Sequence, residues 1–313
     1  MKKQIPQVDY LKSVFILLMI LFHLVYIGDT YPYMKKVVYS FHMPIFLILS
    51  GYLSNANKSV KAFLTSWWWL FVPYAVMELG YVIAASVLPV REEVGNLTIM
   101  NILKRIWIDP VGPYWYLHTL LIGRAVHYWV EHFLRNKLDK LAILMMMGLL
   151  FWALSDGLGL MSFPNAMYFL IGVGIQLYQI NYISLFSPSL WSIIPLFILC
   201  SCPSNLLQFN IAGCLIVYLT TSFLLRLYTF IPSSICTVSQ FIGRNTLSLL
   251  LFSPLFTMLS RMYLPIFSFD PSGLCFASFT LVITVMGSLW ITWCMDNLHL
   301  SPWFFGQKRM LKR

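Results

Sequence analysis

Residues 8–28 read VDYLKSVFILLMILFHLVYIG. From Ser13 to Phe22 the stretch carries one hydroxyl and no other polar group. A helix here is long enough to enter a bilayer, and it would carry His23 into the hydrocarbon. An ionisable group at membrane depth is costly to keep, so it is first read as functional. Lys12 and His23 are eleven positions apart, about three full turns, so both side chains fall on one helix face. They lie about 16 Å apart along the axis, half the hydrocarbon thickness. A basic group at one interface and an imidazole deep in the membrane suit a protein that handles something crossing the bilayer.

The composition agrees. The chain has 313 residues, of which 59% are hydrophobic and only 10% charged. That excludes a soluble domain of this length and implies a polytopic membrane protein. Continuous apolar runs outnumber alternating ones, so helices are expected rather than a barrel. The net charge of +10 sits in short loops and at the two ends. That is how orientation signals are placed, and it does not suggest nucleic acid. The six cysteines lie in or beside apolar stretches without zinc-type spacing and read as packed thiols. No small-residue cleavage site follows the first apolar run, so it is read as a retained helix.

The expected fold is an all-α membrane bundle of about ten transmembrane helices forming one domain over residues 1–313. The spans are placed near 9–28, 38–55, 64–88, 113–131, 140–156, 163–180, 188–203, 208–228, 240–262 and 272–295. The connection 89–112 is expected to hold a short interfacial helix. With the N-terminus inside, the cytoplasmic segments hold Lys2, Lys3, Lys58, Lys61, Arg135, Lys137, Lys140, Arg226, Lys308, Arg309, Lys312 and Arg313. The outer segments hold Lys35, Lys36, Arg91, Lys104, Arg105 and Arg261. Twelve against six favours both termini in the cytoplasm. The expected location is the inner cell membrane, as a multi-pass protein.

This topology sorts polar residues by depth. His23, His42, Glu78, Trp115, Tyr116, His118 and Asn165 fall towards the outer face. Lys12 and Arg244 fall towards the inner face, with Arg124 nearer the midplane. The sequence thus implies an outward polar pocket and an inward basic one. A histidine can take a proton from a hydroxyl while a carboxylate orients its ring, and Glu78 is the candidate carboxylate. His42 and His118 would orient His23 or line the pocket, and Trp115 and Tyr116 would line it as well. Lys12, Arg124 and Arg244 would hold phosphates. The histidines lack metal-site spacing, so no metal is expected. In FHMPIFLILSGYL, residues 41–53, Ser50 and Gly51 would allow a close helix approach. The tryptophans at 67–69 read as an interfacial belt.

The chain resembles the acyltransferase 3 family of integral-membrane acyltransferases. The resemblance rests on the basic residue and histidine of VDYLKSVFILLMILFH, on FHMPIFLILSGYL, and on GRNTLSLLL at 243–251. GPYWYLHTLL at 112–121 is similar to the family's fourth-helix entry. The resemblance implies a ten-helix domain with no bound cofactor, using a cytoplasmic acyl-CoA, commonly acetyl-CoA. The acceptor would be a hydroxyl of an extracytoplasmic or lipid-linked glycan. His23 would be catalytic, as general base or transient acyl carrier, and Lys12 would stand for the usual arginine. Two departures follow. Lysine keeps the charge at position 12 but loses the bidentate fork. The arginine pair that many members carry before the third helix is absent from KSVKAFLTSWWWLFVPY, which has only Lys58 and Lys61. No hydrolase-like domain is expected after the tenth span. The competing reading is a glycan or lipid-linked sugar transporter, which needs no acyl-CoA. It lacks support from an inverted repeat.

Overall fold

A computed structural model describes residues 5–87, 97–207 and 209–312. Among these residues the secondary structure is entirely helical. The first helices are α1 (Pro6–His23), α2 (Val25–Thr30), α3 (Pro32–Leu53), α4 (Val60–Val87) and α5 (Ile99–Trp107). There follow α6 (Trp115–Leu134), α7 (Lys140–Trp152), α8 (Phe163–Leu177), α9 (Tyr182–Leu185) and α10 (Ile193–Cys200). The last are α11 (Ile211–Leu227), α12 (Ser233–Arg244), α13 (Thr246–Tyr263), α14 (Leu274–Asn297) and α15 (Ser301–Phe305). Among the described residues, seven helical stretches are long and apolar enough to cross a membrane. They begin at Pro6, Pro32, Val60, Lys140, Ile211, Thr246 and Leu274. The fourth expected span, α6, lies outside that set, and α8 is apolar but shorter. Lys2, Lys3, Arg91 and Arg313 of the orientation tally lie outside the described residues.

Three expected boundaries are corrected. The first span stops at His23, because Leu24 turns extended at φ −64°, ψ 114°. The second begins at Pro32 rather than at 38, so His42 lies well inside a helix instead of at its outer end. The seventh contains only the eight residues of α10. Cys202 precedes Pro203 and is extended, since proline disfavours helix in the residue before it. The short helix expected in the 89–112 connection is present as α5, whose Thr98 side chain caps the Asn101 N–H.

The chain forms two compact units. One comprises residues 1–43 and 183–313. In it α1 packs against α11, α12, α13 and α14. Being covered on several sides, α1 is apolar nearly all round rather than striped. Its partner α14 shows the inverse pattern. Thr280, Thr284, Ser288 and Thr292, four residues apart, are fully buried, while Phe279, Val282, Met286 and Trp290 are exposed. Small hydroxyl residues turned inward and large apolar ones turned outward are what hydrocarbon surroundings favour.

The second unit, residues 44–182, holds the later half of α3 and α4 to α8. Here α3 and α8 touch backbone to backbone at two glycines. A Cβ on Gly51 would fall 2.1 Å from the Phe169 carbonyl oxygen, and one on Gly172 would fall 2.0 Å from that of Ile48. The close approach expected at Ser50 and Gly51 is therefore present, with Gly172 as its counterpart.

Candidate functional site

In the first unit, α1 begins with a proline in its first turn and places Asp9 there as well. A carboxylate in a first turn faces the positive end of the helix dipole. Asp9 is buried, and its two oxygens serve two cations. Lys12 Nζ lies 2.6 Å from Oδ1, and Arg244 Nε lies 3.4 Å from Oδ2. The approach of Arg244 depends on its neighbour. A Cβ on Gly243 would fall 1.8 Å from the Asp9 carbonyl oxygen, so only glycine lets the end of α12 reach the start of α1. Asn245, fully buried, then leaves helical geometry between α12 and α13. Two of the three expected donor contacts are thus brought together on one carboxylate.

In the same unit His23 is the last residue of α1 and half-buried. Its Nδ1 lies 2.7 Å from the Met19 carbonyl oxygen. A carbonyl can only accept, so Nδ1 carries the proton and, in the neutral ring, Nε2 carries the lone pair. His42 is held in the same way, with Nδ1 2.8 Å from the Val38 carbonyl oxygen. Its Nε2 has no hydrogen-bond partner among the described residues. The ring of Tyr39 packs against both imidazoles, with centroids 6.0 Å from His23 and 5.0 Å from His42. Its hydroxyl donates to the Phe22 carbonyl at 3.3 Å, where α1 ends.

The other expected site residues belong to the second unit. Glu78 is fully buried on α4, and its Oε1 accepts the Val111 N–H at 2.6 Å. His118 on α6 pairs through Nε2 with the Trp107 carbonyl at 3.0 Å, which fixes the opposite tautomer from His23. Tyr74 donates to the Ile106 carbonyl at 2.7 Å. Three polar side chains therefore hold the backbone of 106–111, the passage from α5 into α6. Tyr116 is buried and shares a 2.7 Å hydrogen bond with Ser50. Trp115 is half-buried beside it. Asn165, at the start of α8, is buried, and its Oδ1 has no partner among the described residues.

Arg124 lies midway along α6. Its Nη2 donates to Ser66 Oγ at 3.2 Å, and Lys58 Nζ donates to the same oxygen at 3.4 Å. Neither cation has a carboxylate partner among the described residues. Burial, and then the Arg124 charge, push the Lys58 ammonium below the usual lysine range. Two cations sharing one hydroxyl form a place for an anion.

Sequence reasoning missed the partners rather than the principals. Asp9, Tyr39 and Lys58 were not placed in the site, and Asn245 was placed at the inner side beside Lys12 and Arg244 but given no role. Asp9 was visible three positions before Lys12, one helical turn away. Tyr39 gave no signal, because a tyrosine in an apolar helix is commonplace. Lys58 was noted only as one of two cations before the third span, and Arg124, which shares its hydroxyl partner, is distant in the chain.

A family model described as an acyltransferase domain, that of acyltransferase 3, matches residues 5–293. The match runs through both units. No curated protein and no solved structure matches the chain.

Proposed function

The chain belongs to the acyltransferase 3 family, and on that premise we propose that it is an O-acetyltransferase. It takes an acetyl group from cytoplasmic acyl-CoA and delivers it to a hydroxyl of an extracytoplasmic or lipid-linked glycan, at the inner cell membrane. The observation that carries the reading is the His23 tautomer. With Nδ1 committed to the Met19 carbonyl, Nε2 is the basic atom of the ring. It takes the proton of the acceptor hydroxyl as the oxygen attacks the thioester carbonyl. The C–S bond then breaks, and the imidazolium returns its proton to the departing thiolate. In the first unit, Lys12 and Arg244 on Asp9 are contacts for donor phosphates; in the second, Arg124 and Lys58 are by themselves cations suited to phosphate. Glu78, His42, Trp115, Tyr116, His118 and Asn165 shape the acceptor side. In this reading the seven long helices are joined by α6, α8 and the segment around α10 to give about ten crossings with both termini inside.

The test is transfer of label from radiolabelled acetyl-CoA in membrane vesicles, comparing wild type with His23→Ala at matched expression. Label should reach a glycan or lipid fraction with wild type, and the rate should fall about a hundredfold or more in the variant. Equal transfer by both would make His23 structural. No transfer by either, with acetyl or longer acyl donors, would shift the reading to a transporter.

A further inference from the structure

Residues beyond the family match are built into the basic cluster of the first unit. After α15 the chain folds back, and two clamps hold it. Asp296 accepts the Met310 N–H at 2.8 Å and the Leu311 N–H at 3.0 Å through its two oxygens, and it also holds the Ser301 hydroxyl at 2.5 Å. Asn245 accepts the Lys312 N–H at 2.8 Å and donates to the Lys312 carbonyl at 2.8 Å, a reciprocal pair like one rung of a sheet. A second bond from Asn245 to the Phe241 carbonyl at 2.8 Å fixes the amide orientation. Met310 is buried between the clamps.

Each residue of Gly243-Arg244-Asn245 thus has a separate task in one place. Gly243 admits α12 to the Asp9 backbone, Arg244 reaches the Asp9 carboxylate, and Asn245 fixes the backbone of Lys312. Lys312 spends its backbone on the clamp and keeps its side chain for other work. The residue is solvent-accessible, and its ammonium has no carboxylate partner within ion-pair distance among the described residues. Partial burial of the ammonium, and then the Lys12 charge, push it below the usual lysine range, while the Asp9 carboxylate pushes back. Among the described residues, the clamp therefore brings a third cation into the neighbourhood of Lys12 and Arg244, which share the Asp9 carboxylate. A group of three cations suits a diphosphate better than it suits a single carboxylate.

We propose that Lys312 is a donor-binding residue, carried to the Lys12–Asp9–Arg244 cluster by the clamped segment to hold the diphosphate of the acyl donor. The proposal deepens the acyl-CoA reading above and rests on it.

The test is the affinity of coenzyme A for the purified full-length protein in phosphate-free detergent. Wild type, Lys312→Gln and Lys312→Arg are compared, with pantetheine as the ligand lacking phosphate. Both clamps use the backbone of the segment, so neither substitution disturbs them, and equal thermal melting of the three proteins checks this. Lys312→Gln should weaken coenzyme A binding about tenfold, and Lys312→Arg should stay within about twofold of wild type. Any pantetheine binding should be unchanged. In turnover the loss should fall on the donor KM and not on kcat. Unchanged coenzyme A affinity in Lys312→Gln, with wild type binding it, would overturn the role of Lys312 and leave the acyl-CoA reading in place. Failure of wild type to bind coenzyme A would remove the acyl-CoA reading and this proposal with it.

Discussion

The Tyr39 hydroxyl donates to the Phe22 carbonyl, one of those that the end of α1 leaves without a helical partner. The Tyr39 ring packs against both His23 and His42. Substitution can separate these two contributions. Tyr39→Phe keeps the ring and removes one hydrogen bond, a loss of about 1 kcal/mol of stability. It should leave the transfer rate within about threefold of wild type, since the ring still packs on both imidazoles. Tyr39→Ala removes that ring, frees His23 from its packing, and should lower the rate at least tenfold or so. Detergent melting curves and initial rates of label transfer check both; a rate for Tyr39→Ala equal to that of Tyr39→Phe would remove the ring from the site. Lys12 and His23 were legible in the sequence because each is an expensive residue in an apolar run. Tyr39 was not legible, since a tyrosine in an apolar helix costs little and signals nothing.

Continuous apolarity located the helices, but their ends were set by features that hydropathy does not register. An extended Leu24 ends α1 at His23, and a non-helical Asn245 divides what reads as one ninth span into α12 and α13. Asn245 was quoted as part of GRNTLSLLL, yet its clamp on Lys312 joins positions 67 apart in sequence, and no local pattern reveals such a pair. Helix contacts were legible where a glycine marked them. Gly51 was visible beside Ser50, but its counterpart Gly172 stood in a segment with no distinguishing neighbour. Their crossing gives a prediction at this scale. A Cβ at Gly172 would lie 2.0 Å from the Ile48 oxygen and 2.8 Å from the Tyr52 nitrogen, both backbone atoms that cannot rotate away. Gly172→Ala should therefore force α3 and α8 apart and destabilise the protein by about 1–3 kcal/mol or more. Gly80→Ala, on α4 with open space around its Cβ, serves as the control and should melt like wild type. Equal melting of Gly172→Ala and wild type would show that the two helices do not cross this closely.

For the whole molecule, the prediction concerns which ends of the helices face the cytoplasm. The proposed donor binding at Lys12, Arg244 and Lys312 requires all three on the cytoplasmic side, because acyl-CoA is made there. The distribution of lysine and arginine favours the same answer, with Lys308, Arg309 and Lys312 beyond the last long helix counted inside. Two native cysteines can test the opposite side. Cys202 and Cys275 are both exposed. Cys202 follows α10 and Cys275 opens α14, positions that the proposed topology puts outside. A membrane-impermeant maleimide applied to intact cells should label Cys202 and Cys275. It should leave Lys308→Cys untouched until the membrane is opened. Labelling Lys308→Cys while both native cysteines stay protected would invert the orientation and place the basic cluster away from the donor. Labelling of all three in intact cells would leave Cys275 and Lys308→Cys on one side, so that α14 does not cross and the number of spans becomes odd. Either result would remove cytoplasmic donor binding at Lys312, whereas the predicted pattern puts Asp9, Arg244 and the clamped segment where the donor is.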